Sequence, residues 1–205
     1  MKKNIITVSR QFGSGGRTIG RTVAQRLGIP CYDKELVDKV ALESGFDPKF
    51  VEERGEASPG KSRFSFSFLG HGVPGVMGGM SANDFLWTIQ YNVILSLAEK
   101  GPCVIVGRCA DYALAGRPGL LRIFCRADLT QRFKRIQQRH NLSLEKAALL
   151  VAKTDRHRRV YYHHHTGKFW GHSSCYDLTV NTSVLGVEKT AEALEAYIRA
   201  FQEQD

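Results

Sequence analysis

The chain has 205 residues, of which 42% are hydrophobic and 24% charged, a balance that excludes disorder as the governing state and supplies enough apolar mass for one full α/β core. Twenty-nine lysines and arginines against 20 acidic residues leave a net charge of +9, which favours an anionic partner, either nucleic acid or a phosphorylated small molecule. The five cysteines form no CxxC pair or regular framework, the first apolar run is too short for a secretory signal, and no stretch is long enough to span a membrane. A reducing cytoplasm is therefore the expected location, and no membrane partner is expected.

In chain order, the β-branched run Asn4 to Val8 predicts a buried parallel strand. It is followed by SRQFGSGGRTIG, Ser9 to Gly20, and by an amphipathic segment in which Ile19, Val23, Ala24 and Leu27 share a helix face and Gly28 ends it. Gly13, Gly15 and Gly16 between a strand and a helix permit a tight turn with exposed amides, the arrangement that cradles phosphate. The loop departs from GxxxxGK[ST] because it has no lysine. Laid on GSGKGT, the pattern of nucleoside monophosphate kinases, GSGGRT puts Gly16 in the lysine's place with Arg17 after it. The bland alternative is a glycine-rich turn that binds nothing.

Ile29 to Asp33 reads as a second strand, with Asp33 either capping the next helix or acting at the sheet's C-terminal edge. Asp47 and Pro48 open a short helix. The segment from Gly55 to Asp84 is rich in Gly, Ser and Pro without a period and reads as a long mobile loop, in which Phe64, Phe66 and Phe68 alternate. A helix is expected from Asp84 to Lys100, a central strand in PCVIVGRCAD delivering Arg108 to the sheet edge, a fourth strand over Leu120 to Cys125, and a basic helix in DLTQRFKRIQQRH. Ser143 caps a further helix that runs into KTDRHRRVYYHHHTGKFWG, the densest positive charge of the chain. Arginine there suits a hinged cover over a phosphate site, since its planar fork grips phosphate oxygens. His163, His164 and His165 are consecutive and cannot all face one metal on regular structure, so no metal-ligating residues are expected. Asp177 to Asn181 makes the last strand, before a C-terminal helix.

Five strands alternating with helices predict a parallel sheet covered on both faces. In VSRQFGSGGR, GIPCYDKEL, GPCVIVGRCADY, TDRHRRVYY and YDLTVNTSVLG, the chain resembles the cytidylate kinase-like family of P-loop proteins and, more distantly, the bacterial cytidylate kinases. The resemblance covers nearly the whole chain. It implies a three-layer P-loop kinase fold with strand order 2-3-1-4-5 in a single domain over residues 1–205, an acceptor-binding region about 34–100 and a helical lid about 153–172.

The resemblance also implies that Gly13, Ser14, Gly15, Gly16, Arg17 and Thr18 hold the phosphates of ATP, with Mg2+ as companion ion, and that Asp33, Lys39 and Arg108 lie on the acceptor. Arg156 and Arg158 match lid arginines. Two departures bear on catalysis: the loop lysine is missing, and Val106 stands where cytidylate kinases carry the aspartate of a DGR triplet. Arg10 or Arg17 could replace the first, and Asp33 or Asp111 the second. The expected function is ATP-dependent phosphoryl transfer to a nucleoside monophosphate, CMP or dCMP by resemblance. The alternatives are a nucleotide sensor with little or no chemistry and a kinase for another small phosphate acceptor. A nucleic-acid-binding protein is the weakest alternative, because the basic residues cluster in the expected lid.

Overall fold

The computed structural model describes residues 4–56 and 80–203. Its centre is a five-stranded parallel sheet in the order β2-β3-β1-β4-β5, the order the family resemblance implies. The strands are β1 (Ile5–Arg10), β2 (Cys31–Tyr32), β3 (Cys103–Val106), β4 (Leu120–Arg126) and β5 (Leu178–Asn181). The helices are α1 (Gly16–Leu27), α2 (Lys34–Ser44), α3 (Pro48–Arg54), α4 (Ala82–Glu99), α5 (Ala110–Ala113), α6 (Leu129–His140), α7 (Leu144–Thr166) and α8 (Thr182–Gln202).

The two-residue period of the strands sorts their side chains into two layers. Ile5, Cys103 and Ile105 face α2 and α4, meeting Leu36, Val40, Val93, Ile94 and Leu97. Ile6, Val8, Val104 and Val106 face α1 and α8, meeting Ile19, Val23, Ala191, Leu194 and Ile198. β1, with β3 on one side and β4 on the other, is buried over almost its whole length. Its C-terminal end opens at the sheet edge, where ligands of parallel α/β folds bind.

Several local expectations hold. Gly28 ends α1 in a left-handed conformation, Asp47 caps α3 by accepting from Lys49 N at 2.8 Å, and Ser143 caps α7. β1 runs two residues beyond Val8, because Ser9 and Arg10 still pair with Phe124 and Cys125 of β4. Asp33 stands at the N-cap position of α2 but makes no side-chain cap bond; its own amide donates to Glu35 Oε2 at 3.4 Å. α4 starts at Ala82, with Ser81 as its cap. Residues 57–79, with Phe64, Phe66 and Phe68, lie outside the described residues. Among the described residues, no helix is long and apolar enough to cross a membrane.

Candidate functional site

The loop between β1 and α1 takes the form its glycines require. Gly13 and Gly15 have φ values of 80° and 86°, a region costly for other residues, and Gly15 occupies the N-cap of α1 without a side chain to satisfy the helix's first amides. No acidic residue sits in that first turn, so the positive end of the helix faces the cleft uncompensated. The Ser14 side chain does not face it. Ser14 is fully buried, its hydroxyl accepts from Gly16 N at 3.3 Å, and its carbonyl accepts from Thr182 Oγ1 at 2.7 Å.

A buried ion pair supports the loop from below. Asp155 of α7 accepts from Phe12 N at 2.8 Å and pairs with Arg132 of α6. Arg132 Nε donates to Phe12 O at 2.8 Å, and Arg135 Nη1 donates to Gly13 O. Both peptide groups of Phe12 are thus fixed by side chains from two helices that follow β4 in sequence.

Beside the loop lies a cavity of about 230 Å³ whose lining includes Gly13, Gly15, Gly16, Arg17 and Thr18 of the loop and helix start together with Arg10, Arg108 and Arg158. Arg135 and Arg139 of α6 also line it. The carboxylates on its wall are Glu52 and Glu56. Glu56 joins the arginines: its Oε1 accepts from Arg10 Nη1 at 2.5 Å and from Arg108 N at 2.9 Å, and its Oε2 accepts from Arg158 Nε at 2.9 Å. Arg158 also donates to Arg10 O at 3.2 Å and lies over the Phe12 ring. Burial works against the charge on Glu56, but Arg10, Arg158 and Arg108 outweigh it and hold the carboxyl well below its usual range. Burial, with Arg10 as a like-charged neighbour, brings Arg158 down to about 10, so it stays cationic at neutral pH.

The sequence-predicted residues divide. Arg10, Gly13, Gly15, Gly16, Arg17, Thr18, Arg108 and Arg158 meet at one cleft, whereas Ser14, Asp33, Lys39, Asp111 and Arg156 do not line it. Asp33 is buried and held by Arg17 Nε at 2.6 Å and Arg21 Nη2 at 2.8 Å; the Arg17 contact is an ion pair without hydrogen-bond alignment. Asp111 is buried on α5, accepting from Tyr162 Oη at 2.7 Å and Ser9 Oγ at 3.4 Å, and burial raises its pKa. Arg156 is exposed on α7, and Lys39 is half-buried on α2. The Arg108 guanidinium turns toward α3 and α4, donating from Nη1 to Val51 O at 3.0 Å and Gln90 Oε1 at 3.1 Å.

The charged cleft residues Glu52, Glu56, Arg135 and Arg139 escaped the sequence reading. Arg135 and Arg139 carried a usable signal, since an i, i+4 pair on the helix after a strand beside β1 shares one face. Glu56 carried none, because it opens a stretch without a period.

The family model described as "Cytidylate kinase-like family" matches residues 5–184. Proteins named cytidylate kinase from Pyrococcus horikoshii and Methanothrix thermoacetophila are 25% and 26% identical to the chain. The first match covers 96% of this chain and 88% of the relative, the second 97% and 99%. A crystal structure of an uncharacterized protein from Eubacterium ventriosum superposes with a TM-score of 0.72 at 26% identity, covering 96% of this chain and 99% of that one. Shikimate kinase from Acinetobacter baumannii, solved with shikimate, shares the fold at a TM-score of 0.56 and 14% identity, over 98% of this chain and 96% of its own.

Proposed function

The chain belongs to the cytidylate kinase-like family, and from that premise we propose that it transfers the γ-phosphoryl group of ATP to a nucleoside monophosphate, with CMP or dCMP as acceptor. The observation that carries this reading is the cleft itself, in which the amide end of α1, with no acidic residue in its first turn, shares a cavity with arginines drawn from β1, α6 and α7. Such a site suits a polyphosphate, because backbone donors grip oxygens while guanidinium groups offset their charge. A surface for nucleic acid would spread its cations along an exposed face, whereas these converge in a concavity.

In the proposed reaction an acceptor phosphate oxygen bonds to the γ-phosphorus as the bond from that phosphorus to the β,γ-bridging oxygen breaks, and ADP departs with the electron pair. The attacking oxygen is already ionised near neutral pH, so no strong base is required. Arg158, on the segment assigned to the lid, would steady the charge spread over the equatorial oxygens. Of the two carboxylates on the cleft wall Glu56 is held by Arg10 and Arg158, so Glu52, with Thr18 beside it in the lining, would hold a magnesium ion that keeps most of its waters. The chemistry such an ion would supply there is to offset the negative charge of the nucleotide's phosphates.

Asp33, held by Arg17 and Arg21, serves in this reading to orient Arg17. The acceptor region about 34–100 and the lid about 153–172 belong to the same proposal, as does a cytoplasmic location, where five unpaired cysteines are at home. The test is a coupled ADP-release assay over CMP, dCMP, UMP, AMP and shikimate. Acceptor-dependent release, fastest with CMP or dCMP, is expected. A second reading, a nucleotide sensor without chemistry, draws on the missing side chain at position 16 and on Glu56 engaging the arginines; tight ATP binding with no acceptor-dependent release would favour it.

A further inference from the structure

Position 16 begins α1 at the point where GSGKGT would place a lysine, and the structure leaves no room for one. A Cβ built on Gly16 falls 2.6 Å from Arg10 Cβ and 2.9 Å from Cys125 Cβ, both closer than real side-chain contacts allow, and a tight 3.3 Å from Arg10 Cγ. The stem of Arg10, at the last residue of β1, therefore lies where a lysine stem would leave the loop. Arg10 lines the same cavity as Gly15 and Gly16.

We propose that Arg10 is the catalytic cation of this loop: in place of a lysine on the loop itself, an arginine one strand position ahead of it reaches the transferring phosphoryl group. This rests on the kinase reading above and deepens it. Two observations besides the stem's position support it. Arg10 already grips an anion at its working end, Glu56 Oε1 at 2.5 Å, and a phosphate oxygen presents the same chemistry to a guanidinium. Burial pulls the Arg10 pKa down, but Glu56 more than reverses the shift, so the cation is permanent.

Of the other cleft arginines, Arg158 belongs to the expected lid and three more are engaged by the protein itself. Arg17 is paired with Asp33, Arg135 donates to Gly13 O, and the Arg108 guanidinium is committed to Val51 O and Gln90. As the bond between the γ-phosphorus and the bridging oxygen breaks, negative charge grows on the departing ADP oxygen, and Arg10 offsets it without giving up a proton. The position is one that the loop glycine makes available, because any side chain at residue 16 would displace the arginine.

The experiment measures transfer from ATP to CMP, and calorimetric binding of a non-hydrolysable ATP analogue, for the wild type, Arg10→Ala and Arg10→Lys. For R10A, kcat is expected to fall about 10²- to 10³-fold and analogue affinity about tenfold, with cooperative unfolding retained. R10K should recover part of the rate, and free guanidinium added to R10A should do the same, which a merely structural role would not allow. An active wild type with R10A within about threefold of it in kcat would overturn the role of Arg10 while leaving the kinase reading standing. So would R10A and R10K that both fold and bind the analogue as the wild type does. A wild type that phosphorylates no monophosphate would sink the kinase reading, and this inference with it.

Discussion

At the scale of the residue, two positions that look like losses in the sequence have a physical cause in the fold. Gly16 lacks a side chain because Arg10 and Cys125 occupy its space. Val106 lacks a carboxylate because it is a fully buried member of the layer against α1, with its Cγ2 only 3.1 Å from where a Cβ on Gly20 would lie. Restoring the standard loop residue should therefore fail. Gly16→Lys is expected to lower stability by about 1–3 kcal/mol through overpacking and to give no gain in kcat, as read by urea denaturation beside the transfer assay. A G16K protein as stable as the wild type and faster would mean that position 16 is an ordinary vacant lysine site. The sequence disclosed the glycine and the arginine but not that one excludes the other, since that contact depends on how α1 sits over β1 and β4.

At the scale of the element, α6 and α7 are coupled to the loop by a pair whose role was hidden in the charge run. Reading KTDRHRRV as a basic cover captured Arg158, which faces the cleft, but it also captured Arg156, which is exposed. The 3.6-residue period of a continuous 23-residue helix makes the distinction, turning Asp155 and Arg158 inward with Tyr161 and Tyr162. Helix boundaries, caps and apolar faces were legible because they depend on neighbours within a turn. The partner of Asp155 was not, because Arg132 lies 23 residues away. Asp155→Asn leaves Arg132 buried without its counter-charge and is expected to cost about 3 kcal/mol. It should also raise the Kd for ATP and speed amide exchange at Phe12, whose N–H it now holds poorly. Unchanged exchange at Phe12 would show that the pair does not brace the loop.

At the scale of the whole molecule, the parallel sheet followed from alternating strands and helices and its strand order from the family likeness, and that order sets β1 between β3 and β4 so that loop, Arg10 and Arg108 share one edge. The far end of α7 is tied to α4 by aromatic stacking, the His165 ring lying 4.2 Å from that of Trp87 at an interplanar angle of 10°. Burial, aided by His164 and opposed by Asp84, depresses His165 to about 4. An unfolded histidine takes up its proton near pH 6.5, so between about 6.5 and 4 the unfolded chain binds more protons. Stability should be full above that window and decline within it as pH falls, by at most about 1.4 kcal/mol per pH unit from this group. His165→Phe, which keeps a ring against Trp87, should flatten that part of the profile in urea titrations; an unaltered slope would show that His165 is as readily protonated folded as unfolded.

The most direct measurement for the molecule is the fate of the γ-phosphorus. With γ-32P-labelled ATP, Mg2+ and CMP, label is expected to appear in CDP, in amounts matching the ADP formed, and to vanish in step with kcat in R10A. Label found only in inorganic phosphate, or left in ATP that the protein nevertheless binds tightly, would contradict a phosphoryl-transfer role for the cleft.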